Sequence, residues 1–430
     1  MAVQHRWAFK TRLRSGAYKW SGSHLACQRL KEAAAEIKAA AKSDPVVASE
    51  GYVSLAERIW PAFESIDTSS GALGSAVYST QVELLPIIVN APAPRKVRDA
   101  WLDRLWSAIE EDGVGYLSVT EEHWGELCAS PEVASSWADL LLPSVRAAWS
   151  DARPGSYAHQ ATACLSSLVA ADRLQDLLDL LALVRFPFWN DRKFAVRALI
   201  AAQRSDEALA YAEASRGLNQ PDSAINAACE QILLNIGRAD EAYRKYALTA
   251  ASATSTGLAT FRAICKKYPG RDPRAILNDL AEHGADRGLW FAAAKDAGFL
   301  DLALQFALAG RTEPRTLTRA CRDFLDADPE FALQIGRLAI DRLLSGHGYE
   351  PTSADAVGAY NHFIDAAERL ELADKARKDV VASANQASPG GAHFAATFLR
   401  LATQDPSIRE LPVVFTPRKT SGKWKRRTAR

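Results

Sequence analysis

Five residues recur along the second half of this chain, and their spacing restricts the fold more than any other feature. They read Arg173-Leu174-Gln175-Asp176-Leu177, then Arg204-Ser205-Asp206-Glu207-Ala208, then Arg238-Ala239-Asp240-Glu241-Ala242. Looser copies stand at Phe299-Leu300-Asp301-Leu302-Ala303 and Leu372-Ala373-Asp374-Lys375-Ala376. Counted from the third residue of each, the steps are 31, 34, 61 and 73 residues. A period just over thirty is the length of one helix–turn–helix unit, and the longer steps are near doubles. Stacked units of that size make an α-solenoid. Asp206, Asp240, Asp301 and Asp374 are expected at helix starts, where a carboxylate meets unsatisfied N–H groups and the positive end of the helix dipole. The small residue two positions on (Ala208, Ala242, Ala303, Ala376) lets the second helix of a hairpin approach the first. Tyr211, Tyr246 and Phe306 then fill the seam.

The rest of the chain carries the same periodicity. Helices are expected from Ser23 to about Lys42, from Asp44-Pro45 to about Glu64, from about Ser70 to Val89, and from Lys96 to Glu111. Asp44 caps and Pro45 occupies the first turn. Ser118-Val119-Thr120-Glu121 has capping-box form, and Ser130-Pro131-Glu132 opens a further helix to about Trp149. Later breaks at Tyr268-Pro269-Gly270, Ala309-Gly310, Ser345 to Gly348 and Ser388 to Gly391 read as turns between helices. No alternating strand pattern lasts six residues. The fold class is therefore all-α, an α-solenoid of antiparallel helix hairpins of tetratricopeptide or HEAT type. Four regions are expected: a basic aromatic arm over 1–22, an N-terminal helical region over 23–152, the hairpin array over 153–405, and a basic tail over 406–430. The joint before the array is placed at Ala152 to Ser156.

The units resemble tetratricopeptide hairpins, chiefly in the second helix, where Ala242 is followed by Tyr246 and Ala303 by Ala307. The Trp-Leu-Gly-Tyr signature of that family's first helix is absent, so its peptide-binding residues do not carry over. A second resemblance rests on Leu55-Ala56-Glu57-Arg58-Ile59-Trp60 through Phe63, followed by Asp67-Thr68-Ser69-Ser70-Gly71-Ala72-Leu73-Gly74. This stretch is similar to uncharacterised bacterial helical-repeat proteins, domains of unknown function related to proteins with SWIM zinc fingers. It implies a bacterial, cytosolic, helical protein with no assigned activity. The Cys-x-Cys…Cys-x-His pattern of the zinc finger is missing, so no zinc function follows.

The net charge of +1 hides an asymmetry. Residues 1–31 hold seven Lys or Arg and no acid, residues 417–430 hold seven more and no acid, and the body between stands at −13. Residues 5–20 interleave Arg6, Lys10, Arg12, Arg14 and Lys19 with Trp7, Phe9, Tyr18 and Trp20. The tail repeats the mixture as Lys423-Trp424-Lys425-Arg426-Arg427. Cations neutralise phosphates and aromatic faces stack on exposed bases, so both ends are nucleic-acid-binding candidates. The competing expectation is an arm packed on the first helices and a tail complementary to the acidic body.

Chemistry has little to stand on. No Walker loop, Gly-x-Gly-x-x-Gly after a strand, Gly-x-Ser-x-Gly elbow or His-Glu-x-x-His helix occurs. Glu121-Glu122-His123 with Glu126 and Cys128 is the densest group of ligand-type side chains, but Glu122 and Glu126 share a helix face that His123 does not. The expectation is no enzyme, no cofactor and no metal. The six cysteines are scattered at apolar helical positions, as reduced core thiols are. Apolar runs such as Leu177 to Val184 break before membrane-span length, so no membrane is expected and the cytoplasm is the expected compartment.

For a partner, Phe186-Pro187-Phe188-Trp189-Asn190-Asp191-Arg192-Lys193 stands out, since rigid aromatics and Arg dominate interface hot spots. Arg216 and Asn219 hold a comparable position one repeat later. The function expected is a scaffold or adaptor for a protein or peptide partner, with Phe186, Phe188, Trp189, Arg192, Lys193, Arg216 and Asn219 as contact residues. The alternative is a nucleic-acid-associated protein using both basic ends within a bacterial complex. The loop at His347-Gly348-Tyr349-Glu350 and the turn at Asp67 to Gly71 are lesser candidates.

Overall fold

The structure is a computed structural model that describes residues 5–150, 158–186, 188–217, 222–250 and 256–404. Among the described residues every regular element is helical and there is no strand. The chain divides into two compact units, Met1–Arg238 and Ala239–Arg430. The joint expected at 152–156 lies outside the described residues, and the helices Pro131–Ser150 and Ala161–Ala170 on either side of it pack together within the first unit.

In the first unit, helices Ser23–Ala41, Pro45–Phe63 and Ala72–Val89 pack on one another, and Arg95–Glu111 lies against Pro45–Phe63. The Asp44-Pro45 signal works as expected: the Asp44 carboxylate accepts from Val46 N at 2.9 Å and Val47 N at 3.0 Å. Ala72–Val89 has a mean hydropathy of 1.3 over 18 residues, enough by length and composition to cross a membrane, because Glu83 is its single charge. It also carries a buried polar chain. Gln81 Oε1 accepts from Thr120 Oγ1 at 2.9 Å, so the Tyr52 hydroxyl donates to Thr120 at 2.7 Å. Gln81 Nε2 in turn donates to the Tyr116 carbonyl at 2.5 Å. Each group has a partner, which a polar chain in a core requires. Burial pushes the Tyr52 phenol up to about 12.

One expectation at this level fails. Ser118 does not form a capping box; helix Ser118–Glu122 starts without a side-chain cap. The Asp112 carboxylate takes Leu117 N at 2.7 Å and Val114 N at 3.2 Å instead, closing the turn from the preceding side.

The recurring five residues are a real structural unit. Before each copy the preceding helix ends on one residue with positive φ: Asp172, Gln203, Gly237, Gly298 and Glu371. The next N–H then reaches back five residues, Arg173 to Leu168 O at 3.0 Å, Arg204 to Leu199 O at 2.8 Å and Arg238 to Leu233 O at 2.8 Å. Phe299 to Ala294 O at 3.0 Å and Leu372 to Ala367 O at 2.8 Å complete the set. This is the Schellman ending, which satisfies carbonyls that a helix C-terminus leaves open. Three of the five copies place a residue other than glycine in the left-handed conformation. That costs roughly 1 kcal/mol each and hides the signal from a search for glycines.

The aspartates Asp206, Asp240, Asp301 and Asp374 stand in the first turns of their helices as expected, but three of them also face arginines distant in sequence. Asp206 lies in the first turn of Ser205–Glu213, yet that helix has no side-chain cap. Arg238 donates to Asp206 at 2.8 Å and Arg271 donates to Asp240 at 2.7 Å, so each carboxylate faces the arginine one period later. Asp301 instead accepts from an earlier arginine, Arg274, 27 residues before it, at 3.1 Å. Asp206 and Asp240 are largely exposed, so such pairs set register more than they stabilise. The small residue behaves as expected: Ala208, Ala242, Ala303 and Ala376 are all buried.

In the second unit, Phe291–Asp296 packs on Leu300–Ala309, Pro314–Phe324 on Pro329–Leu344, and Ser353–Arg369 on both Ala373–Ala384 and Ala392–Thr403. Asp272-Pro273 and Asp328-Pro329 repeat the cap-and-proline start, and Thr352 with Asp355 forms a full capping box.

Candidate functional site

The aromatic loop belongs to the first unit. Phe188 precedes helix Trp189–Ala201 in an extended conformation, and Trp189 turns inward to 6 % exposure while Phe186 and Phe188 stay 60 % and 54 % exposed. Trp189 is therefore the anchor and the two phenylalanines are the surface. Arg185 lies over the Phe186 ring at 5.7 Å. Leu183, 37 % exposed, adds a third apolar side chain three residues before Phe186.

The cations expected to join that surface are mostly committed elsewhere. Lys193 Nζ donates to Glu122 Oε2 at 2.7 Å, and Arg197 holds the other carboxylate oxygen. Burial works to raise the Glu122 carboxyl, but Lys193 and Arg197 outweigh it and hold it below the usual carboxylate range. Arg192 donates to Ala214 O at 3.3 Å and lies 6.0 Å from the Tyr211 ring centre. Arg216 is taken up by Glu213 at 2.7 Å and Asn226 at 2.6 Å. Asn219 and Pro187 lie outside the described residues. The structure thus connects two clusters 71 residues apart, the aromatic loop and the Glu121–Cys128 group, through a Lys–Glu pair that no local pattern announces.

Within that second cluster, His123 Nδ1 is 2.9 Å from Glu126 Oε1, which holds the Glu126 carboxyl below its usual value. Cys128 is buried and its thiol is pushed up to about 12 by desolvation, so it is an inert core group. Among the described residues no three His, Cys, Asp or Glu side chains gather as a metal site would need. Trp124 sits behind the cluster in edge-to-face contact with Trp106 and Trp137, at 5.3 and 4.9 Å. Gly125 lets this turn touch the neighbouring helix, since a Cβ there would stand 2.2 Å from Ser166 O.

The N-terminal arm is folded onto the first helices. Trp7, Phe9, Leu13 and Tyr18 are buried, and of the arm's aromatics beyond His5 only Trp20 remains exposed. The Glu36 carboxylate accepts from Ala8 N at 2.7 Å and Phe9 N at 3.2 Å, closing the open end of helix Phe9–Arg12. Arg12 donates to Glu32 at 2.6 Å, Lys10 is half-buried, and Arg6, Arg14 and Lys19 are exposed. Lys423, Lys425, Arg426 and Arg427 lie outside the described residues.

Two lesser candidates are structural. Arg315 spans Asp355 at 2.8 Å and Glu350 O at 2.9 Å, while the Glu313 carboxylate accepts from Tyr349 N at 3.1 Å, so the 347–350 loop is pinned at both sides. Asp67 accepts from Ser69 N at 2.9 Å, a side-chain turn.

Sequence reasoning missed a groove in the second unit. Leu304 and Leu308, Leu333, Phe363 and Leu372 line a hollow of about 350 Å³ between four helices. Leu308 and Leu372 are large apolar side chains left exposed, one within helix Leu300–Ala309 and one just before helix Ala373–Ala384. Comparison with protein-family models, curated proteins and solved structures finds no match for this chain.

Proposed function

We propose that this chain is a non-enzymatic helical-repeat scaffold, an α-solenoid of antiparallel hairpins, that holds a protein or peptide partner. The Schellman turns recurring at 172, 203, 237, 298 and 371 support the hairpin array. One observation carries the binding role: Phe186 and Phe188 stand exposed on a loop whose next residue, Trp189, is buried as its anchor. Two rigid rings held out from an ordered frame lose little entropy when a partner covers them, which is the property of an interface hot spot. The Arg185 guanidinium lies over the Phe186 ring at 5.7 Å and adds a cation to that surface.

The test is a pull-down from nuclease-treated lysate with the parent chain and with Phe186→Ala/Phe188→Ala. A specific protein kept by the parent and lost by the double variant, with unchanged thermal unfolding, supports the reading. Equal retention by both defeats it. Nucleic-acid binding through the basic ends is the weaker reading, because Trp7, Phe9 and Tyr18 are packed away from any base. It would gain ground if binding to single-stranded nucleic acid fell steeply with salt and vanished on Arg6→Ala/Arg14→Ala/Lys19→Ala.

A further inference from the structure

The leucine groove of the second unit has an occupant available in the same chain. Its floor is Leu304, Leu333 and Phe363, and its exposed rim is Leu308 and Leu372. Arg337, which also lines it, is already spent on Asp341 at 3.0 Å and on Ser383. Two carboxylates at the edge are unanswered: Asp379 in the groove, and Glu371 in the adjoining hollow, make no ion pair among the described residues. Lys375 lines both hollows. Asp374 and Glu368, beside Glu371, both face Arg377 at 3.2 and 3.8 Å. The groove is an apolar trough with an acidic edge.

We propose that this trough seats the chain's own segment Leu411-Pro412-Val413-Val414-Phe415, with the basic residues from Arg418 to Arg430 set against the Glu371 and Asp379 edge. Three observations lead to that occupant rather than another. First, helix Ala392–Thr403 packs on Ala373–Ala384 after a short turn, so the pair is antiparallel and the chain is returned towards Leu372, at the groove. Six residues separate Gln404 from Leu411. At roughly 3.3 Å per residue they span about 20 Å, comparable with the ~18 Å length of a 12-residue helix wall. Second, Leu411, Val413 and Phe415 alternate with Pro412 and Val414, so one face of an extended stretch presents three large apolar side chains to the leucines. Third, residues 417–430 hold seven cations and no acid, the complement of the unanswered carboxylates. The tail then acts as a built-in competitor that a partner segment of the same apolar-then-basic character must displace. The proposal concerns a different unit from the Phe186–Phe188 surface and stands or falls without it.

Hydrogen exchange on the full chain tests it. Amides of Leu411 and of residues 413–416 are expected to exchange at least tenfold more slowly than in Leu308→Asp, a rim substitution at a side chain 61 % exposed and therefore compatible with folding. Val413→Asp, which changes the tail and leaves the groove intact, is expected to release the same amides. Glu371→Lys/Asp379→Lys should give a smaller release, and added salt should erase the difference between that variant and the parent. Equal exchange at these amides in the parent and in both Asp variants would overturn the proposal. So would protection that persists in Leu308→Asp, since the segment would then be seated elsewhere.

Discussion

Residues 6–20 and 185–193 carry the same mixture of aromatic rings and cationic side chains, yet they end in opposite states. In the first, Trp7, Phe9 and Tyr18 are buried; in the second, Phe186 and Phe188 are more than half exposed and only Trp189 is buried. The difference lies in what waits for them. Trp7 has a seat, because Gly51 leaves room on helix Pro45–Phe63 where a Cβ would come within 2.5 Å of the indole. Tyr18 meets Phe63 edge-to-face at 5.5 Å, and the Glu36 carboxylate satisfies the backbone that this packing would otherwise leave open. Beside Phe186 and Phe188 the ring that packs inward is Trp189. Aromatic and basic composition makes a segment adhesive; a vacancy on a neighbouring helix decides whether it adheres to its own chain.

This contrast can be broken or sharpened by experiment, the largest effect first. Trp7→Ala should cost about 3–5 kcal/mol in urea unfolding, as large-to-small changes at buried aromatics do. Phe186→Ala and Phe188→Ala should each stay within about 0.5 kcal/mol of the parent, as exposed positions do. A comparable loss at Phe186 would mean that the loop is held as firmly as the arm. Gly51→Ala comes next, at about 1–3 kcal/mol from overpacking. Combined with Trp7→Leu it should cost less than the two single changes added, a coupling that a double-mutant cycle measures directly. Additive losses would show that Gly51 is not the indole's seat. Glu36→Gln should remove about 1 kcal/mol and speed exchange at the Ala8 and Phe9 amides while leaving those of Ala392–Thr403 unchanged.

The smallest effect is a pH dependence. Burial raises the Tyr18 phenol above its ordinary value, with Arg29 pulling the other way. The folded chain therefore keeps that proton to higher pH than the unfolded chain. The stability it contributes is full below the ordinary tyrosine value of about 10 and is lost as pH rises through the raised one. Tyr52 and Tyr116 shift in the same direction, so the quantity to measure is the difference between parent and Tyr18→Phe. The variant's stability should fall less steeply above pH ~10; parallel curves would place Tyr18 outside the core.

Much of the helical layout was legible beforehand, and for a local reason. Asp44-Pro45, Asp328-Pro329 and Thr352 with Asp355 act within three residues of one another, and the five-residue turn closes within six. The candidate site was legible only in part. Phe186 and Phe188 were recognisable as large and apolar, but nothing nearby said that Lys193 belongs to Glu122, or that Arg216 reaches Asn226 beyond its neighbour Glu213. The capping box expected at Ser118 failed for the same reason. Asp112, six residues upstream, occupied the turn first.

By itself the sequence determined an all-helical chain, its turns, and the places where helices start, since those depend on backbone groups and side chains a few residues apart. Only the tertiary structure decided which aromatic rings are core and which are surface. It also decided which arginine answers which aspartate, and that side chains from four helices line one trough. Such outcomes depend on vacancies and partners supplied from thirty or more residues away, where helical periodicity carries no information about register between helices.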